Sequence, residues 1–192
     1  YNSNTVTINP LQWHHMAVSR ENNVLYHWLD GNPVGFNAFT ETMSETNTTL
    51  QVFAYNYNGL GAIRSGNFDQ IRVSNTCRYS GEFTSPSAAF TNDSNTNLLL
   101  HMDGSNGGTT FTDSSTGNHT VTVTGDVHTD TAQKKFGTAS AQFDGSDQLS
   151  LANHADFNMG TGDFTIEMWA RFDNVSTNNQ QFLFKRNVTY TG

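Results

Sequence analysis

Residues 164–172 decide the fold class, and they read Phe164-Thr165-Ile166-Glu167-Met168-Trp169-Ala170-Arg171-Phe172. Apolar residues occupy every second position from Phe164 to Phe172. Successive side chains of a strand point to opposite faces, so this period of two predicts a strand with one apolar face. The alternate positions, from Thr165 to Arg171, form a mixed face that is a candidate for a concave, solvent-exposed surface.

Short strand-like runs recur along the whole chain. Trp13–Arg20, Val24–Asp30 and Phe68–Ser74 are examples, and Asp30-Gly31-Asn32-Pro33 is a hairpin-type turn signal. No segment sustains the apolar period of a helix, so we expect no helix longer than about two turns. About a dozen short strands with frequent turns predict an all-β fold, an antiparallel β-sandwich.

Composition excludes several classes of partner. The chain has 192 residues and a formal net charge of −8, and its nine Lys and Arg are scattered. Without a basic stripe, nucleic acid is excluded as a partner. No apolar run approaches the length of a membrane span, so no membrane insertion is expected. A single cysteine, Cys77, cannot form an internal disulfide, and we predict a small, buried or half-buried apolar side chain there.

Residues 13–35 contain Trp13-His14-His15 and, after a hairpin, Asp30-Gly31 followed by Val34-Gly35. These motifs resemble the laminin G-like family of the concanavalin A-like lectin and glucanase superfamily, and residues 68–74 resemble the family's last core strand. Residues 77–86 resemble a tail segment of tandem versions in marine phage and viral surface proteins. Residues 98–169 then resemble the family's N-terminal half. The resemblance implies a jelly-roll sandwich.

The family order is rotated, with the C-terminal half first. We assign residues 1–91 to the C-terminal half of one sandwich and residues 92–192 to the N-terminal half of the next or, if the chain is permuted, of the same one. We expect the tandem arrangement, in which Ile166 and Met168 make no contact with Trp13–Arg20. A permuted single sandwich would bring them together.

The resemblance implies a non-catalytic structural or adhesive module of a virion fibre, tail or other extracellular surface assembly. Neighbouring copies or domains of the same protein would then be its partners. The alternative is a discrete, calcium-dependent carbohydrate-binding module that binds surface glycans. An enzyme ranks last, because the paired acids of the related glucanases are missing and Glu167, with Trp169 and Arg171 on its face, suggests a surface pair.

Candidate ligand-binding residues are aromatic side chains with neighbouring amides. Sugars stack on aromatic rings and bond to amides, so Tyr55, Asn56, Tyr57, Trp28 and Trp169 are the candidates, although most aromatic residues of sandwiches belong to the core.

Calcium is the candidate cofactor, with Asp69, Asp103 and Asp113 as its ligands. Asp69 alternates with Ile71 and Val73, so we expect it on the apolar face, where a carboxylate needs compensation. Asp103 and Asp113 resemble positions near a calcium site in some relatives. Calcium takes oxygen ligands, whereas the alternative is that these acids cap turns.

The histidines predict no transition-metal site. His14 and His15 are adjacent on a strand and point to opposite faces, so they cannot bind one metal together. The four histidines that follow residue 100 lie in turns and strands that the sequence leaves unrelated, namely His101, His119, His128 and His154.

Overall fold

The computed structural model describes residues 2–3, 7–43, 50–52, 65–175 and 183–185. These residues form thirteen strands: β1 Asn2–Ser3, β2 His14–Glu21, β3 Val24–Leu29, β4 Asn32–Ala38, β5 Leu50–Val52, β6 Gly66–Ser74, β7 Thr96–Leu100, β8 Val121–Thr124, β9 His128–Asp130, β10 Ser140–Phe143, β11 Gln148–Leu151, β12 Phe164–Phe172 and β13 Leu183–Lys185. A single turn of 3-10 helix, Ala155–Phe157, is the only helix in this part of the chain. No helix among the described residues is long and apolar enough to cross a membrane.

The strands form two antiparallel sheets, which confirms the all-β prediction. The larger sheet has the order β1-β4-β3-β2-β12-β6-β10-β9, and β7 also pairs with β6. The smaller sheet has the order β13-β5-β11-β8. Every strand pair is antiparallel.

One hydrophobic core joins side chains of both sheets. Phe68, Met168 and Phe172 come from the larger sheet, and Leu149 and Leu151 come from the smaller one. All five are at most 3% exposed. Burying a side chain of this kind contributes about 1.5–3 kcal/mol. The apolar face of β12 is therefore a core face, as its period of two predicts.

β12 lies between β2 and β6 in the larger sheet. Met168 is opposite Met16 and Ile166 is opposite Val18. The expectation that these segments make no contact is wrong. Isolated β12 would have unpaired N–H and C=O groups along both edges, and here both edges are paired by strands from the first ninety residues. The assignment of residues 1–91 and 92–192 to two halves of a family sandwich remains a prediction.

A β-bulge in β6 changes which side chains share a face. Glu167 is opposite Arg72 and Trp169 is opposite Asp69, so one residue of β12 faces two residues of β6 between these pairs. At this bulge the backbone of Gln70 is left-handed, with a φ of 52°. Asp69 therefore shares the face of Trp169 and Glu167. The expectation that Asp69 points to the apolar core is wrong, because the bulge reverses the alternation.

The mixed face of β12 is covered by residues 75–95, which we call the covering segment. The backbone N–H of Arg78 donates to Thr165 Oγ1 at 2.8 Å, and the Phe90 ring lies 4.4 Å from the Arg72 guanidinium. Thr165 and Glu167 are fully buried, and Trp169 is 4% exposed. The expectation of an open, concave surface here is wrong, because an irregular stretch of chain crosses it.

Candidate functional site

Glu167 is the centre of a polar cluster beneath the covering segment. Its carboxylate accepts hydrogen bonds from Arg72 Nε at 2.8 Å and from the Tyr79 hydroxyl at 2.6 Å. His15 Nε2 lies 3.1 Å from the same carboxylate, and Arg72 Nη2 lies 2.6 Å from it. The interpretation of Glu167 as a surface residue is wrong. It forms a buried ion pair with Arg72.

The surroundings of Glu167 keep it ionised. Burial opposes ionisation, but the His15 hydrogen bond, the Arg72 charge and the Tyr79 hydroxyl outweigh it and hold the pKa of Glu167 below its usual value. Burial and the neighbouring carboxylate raise the pKa of Tyr79. With its oxygens occupied by these donors, Glu167 fastens the covering segment to the sheet.

Neither described candidate for sugar stacking presents a free ring. Trp28 is 4% exposed, and its indole N–H donates to Ser19 Oγ at 2.8 Å. Trp169 is packed against Phe136, and Lys135 Nζ lies 3.9 Å from its ring. Both rings belong to the packing under the covering segment and residues 135–136. Tyr55, Asn56 and Tyr57 lie outside the described residues.

Asp69 and Asp103 bind the backbone of one loop. Asp69 Oδ2 accepts the N–H groups of Lys135 at 2.8 Å and Phe136 at 3.0 Å. Asp103 Oδ1 accepts those of Thr138 and Ala139. Burial raises the pKa of Asp69 to about 6, although the backbone hydrogen bonds act against this. The loop between β9 and β10 is thus fixed by two carboxylates.

Asp113 organises a different loop. It is 2% exposed. Its Oδ1 accepts the N–H groups of Leu99 and Ser115, both at 2.9 Å, and its Oδ2 accepts the N–H of His119 at 2.8 Å. Asp113 therefore holds the backbone at His119, two residues before β8, close to β7.

The arrangement of these three aspartates does not fit one calcium site. Their oxygens face N–H donors, which a cation would have to displace, and they serve two separate loops. Among the described residues, two groups of side chains lie close enough together to hold one metal ion, and neither includes Asp69, Asp103 or Asp113. The two groups are His119, His154 and Asp156, and Asp126, Asp144 and Asp147. These contacts have the geometry of the capping alternative. Calcium binding by this chain remains a prediction.

Two histidines and an aspartate meet at the end of the smaller sheet. His119 Nε2 lies 2.9 Å from Asp156 Oδ2, and His154 Nδ1 lies 3.3 Å from the same oxygen. The interpretation of His119 and His154 as unrelated is wrong. Leu151 pairs with Val121, so the chain just after β11 leaves the sheet beside the chain just before β8. Pairing these two strands from the sequence would have revealed the cluster.

A surface pocket of about 300 Å³ adjoins this cluster. Asparagine and aspartate side chains form most of its polar lining, and Asp156 belongs to both the pocket and the cluster. The lining residues are Asn75, Asn97, Ala155, Asp156, Asn158, Met159, Gly162 and Asp163. Amides and carboxylates can donate to and accept from hydroxyl groups, which is the chemistry of sugar recognition.

No family model, no curated protein and no solved structure matches this chain. The family resemblance therefore rests on the motifs quoted above.

Proposed function

We propose that this chain is a non-catalytic adhesive or structural β-sandwich module of a virion fibre, tail or other extracellular surface assembly. Its partners would be neighbouring copies or domains of the same protein. We further propose that it is a jelly roll of the laminin G-like type with the family order rotated. The two antiparallel sheets around one core support this assignment.

The buried cluster around Glu167 carries the proposal. A catalytic acid must reach a substrate, whereas this carboxylate is fully buried and bonded to Arg72 and Tyr79. Its role is to hold the covering segment over the sheet. A carboxylate that is hydrogen-bonded within the fold stabilises the domain, as a structural or adhesive module requires.

Pairing of β12 with β2 favours an adhesive unit over a shaft made of half domains. The shaft interpretation depends on halves that need residues from outside the chain, whereas β12 has both of its edges paired within the chain. We therefore expect adhesion through the surfaces of one folded unit.

Sedimentation equilibrium tests the first proposal. We expect reversible self-association that increases with protein concentration, because neighbouring copies are the proposed partners. A chain that stays monomeric at every concentration and binds a defined glycan would contradict it and support the second candidate.

Carbohydrate binding is the second candidate, and the pocket lined by asparagine and aspartate is the observation that favours it. Asn75 is an exposed residue of its lining and carries a side-chain amide. A glycan array on the whole chain would detect this function. In this case Asn75→Ala should weaken the signal, whereas Asn37→Ala on β4, outside the pocket, should not change it. An array on which no glycan binds the chain would reject this candidate.

A further inference from the structure

His119, His154 and Asp156 place three metal-ligating groups around one point. One ligand atom of each residue lies within 4.8 Å of the others. The His154 side chain is 52% exposed, the Asp156 side chain 37% and the His119 side chain 11%. The His119 imidazole is therefore largely buried in the fold, while His154 and Asp156 are open to solvent.

The distances match the edges of a coordination polyhedron. Zinc bonds of about 2.0–2.1 Å to nitrogen and oxygen separate neighbouring ligand atoms by about 2.9 Å at right angles and by about 3.4 Å at tetrahedral angles. The two N···O distances here are 2.9 and 3.3 Å. A metal could enter with small side-chain movements.

The fold holds each ligand separately. Asp113 fixes the backbone at His119, and the Phe157 ring lies 4.8 Å from the His119 ring. Asn97 Nδ2 donates to the backbone carbonyl of Asp156 at 2.5 Å. His154 caps the 3-10 helix by accepting the Asp156 N–H at 3.2 Å, a single hydrogen bond that a metal on Nδ1 would replace.

Gly117 makes room for the cluster. A Cβ on residue 117 would overlap His119 Nε2 and come within 3.1 Å of Asp156 Oδ2. Any larger residue there would push the imidazole away from the carboxylate. The absence of a side chain at 117 is thus a condition for the contact between His119 and Asp156.

We propose that His119, His154 and Asp156 bind a divalent transition-metal ion of the zinc type, with solvent in the remaining position. Two imidazole nitrogens and one carboxylate oxygen suit zinc and its neighbours, whereas calcium prefers oxygen ligands alone. The site is therefore distinct from the calcium site predicted at Asp69, Asp103 and Asp113. Because Asp156 also lines the pocket, the metal would lie beside the pocket.

Titration of the whole, untagged chain with Zn²⁺, followed by calorimetry, tests this proposal. We expect one saturable site per chain. Co²⁺ in place of zinc should give the visible absorption bands of a low-coordinate site, a readout that surface adsorption does not produce.

Three variants and two controls assign the site. His154→Ala should abolish saturable binding, and His119→Ala should do the same. Gly117→Ala, which displaces the end of one side chain, should weaken binding about tenfold or more while the chain stays folded. His128→Ala removes a histidine outside the cluster, and Asp144→Asn alters the separate aspartate cluster at Asp126, Asp144 and Asp147. Both controls should bind as the unmodified chain does.

Two results would overturn the proposal. One is the absence of saturable zinc binding to the folded, unmodified chain. The other is zinc binding that survives His154→Ala and Gly117→Ala unchanged, which would place the ion elsewhere.

Discussion

Trp169 of β12 lies directly opposite His15 of β2, with their ring centroids 5.3 Å apart. This pair joins β2 to β12 beneath the covering segment. The same layer contains the Glu167–Arg72 ion pair and the rings of Phe90 and Phe136. The larger sheet therefore has buried side chains on both faces, one face against the smaller sheet and the other under irregular chain.

Glu167→Gln should destabilise the fold strongly. The substitution keeps the size of the side chain but leaves the buried Arg72 guanidinium without its counter-charge, and breaking a buried pair costs about 3–5 kcal/mol. Urea unfolding would measure the loss. Glu82→Gln, at an exposed position in the covering segment, is the control and should change stability little. Equal effects of the two substitutions would show that the ion pair contributes nothing.

Gly31→Ala should disrupt the attachment of the covering segment to the sheet. Gly31 has a φ of 81°, and a Cβ there would overlap the backbone carbonyl of Phe83. We expect a loss of about 2 kcal/mol or more in the free energy of unfolding. Gly81→Ala is the matched control, since a Cβ at that position meets no atom within 4 Å. A neutral Gly31→Ala would contradict this packing.

Asp69 should make stability fall as the pH rises from about 4 to about 6. Burial raises its pKa to about 6 in the folded state, above the value of about 3.9 for an unfolded chain. The folded state thus binds the proton more tightly, so unfolding releases it in this range and the stabilisation is lost with increasing pH.

Unfolding free energies of the unmodified chain and of Asp69→Asn across this pH range would isolate the contribution of Asp69. As the pH rises from about 4 to about 6, the unmodified chain should lose about 2–3 kcal/mol of unfolding free energy relative to Asp69→Asn. A difference that stays constant with pH would show that the Asp69 carboxylate has an ordinary pKa. Glu82→Gln again serves as the control.

Thermal unfolding tests the calcium prediction. An ion that binds only the folded state raises the melting temperature by mass action. If calcium bound at these aspartates by displacing the N–H donors from their oxygens, Asp103→Asn, at the exposed one of the three, would remove the rise. A melting temperature that is the same with calcium and with chelator would leave Asp69, Asp103 and Asp113 with the capping role alone.

The strands could be predicted from the sequence more completely than their surroundings. Alternation in Phe164–Phe172 identifies β12 and its core face, because the period of two follows from local geometry. The bulge at Gln70 could not be predicted, since its left-handed backbone is adopted by a residue that rarely favours it. Because the bulge adds one residue to β6, the alternation of the sequence predicted the wrong face for Asp69.

Two features depend on contacts between segments that are far apart in the sequence. One is the covering of the mixed face of β12, and the other is the histidine cluster. The covering segment has no periodicity, so the sequence gives no sign that Tyr79 would reach Glu167. His119 and His154 meet only because β8 and β11 pair in a particular register. Register is fixed by the packing of the whole sheet and is not encoded in either strand alone.

β12 pairs with β2 within one molecule, and isotope-filtered NOE measurement on a mixture of labelled and unlabelled chains separates this arrangement from pairing between molecules. We predict NOEs between the backbone protons of Met168 and Met16, and between those of Ile166 and Val18, arising within one molecule. Absence of these NOEs, or their appearance only between labelled and unlabelled chains, would contradict pairing within one chain and favour the tandem arrangement.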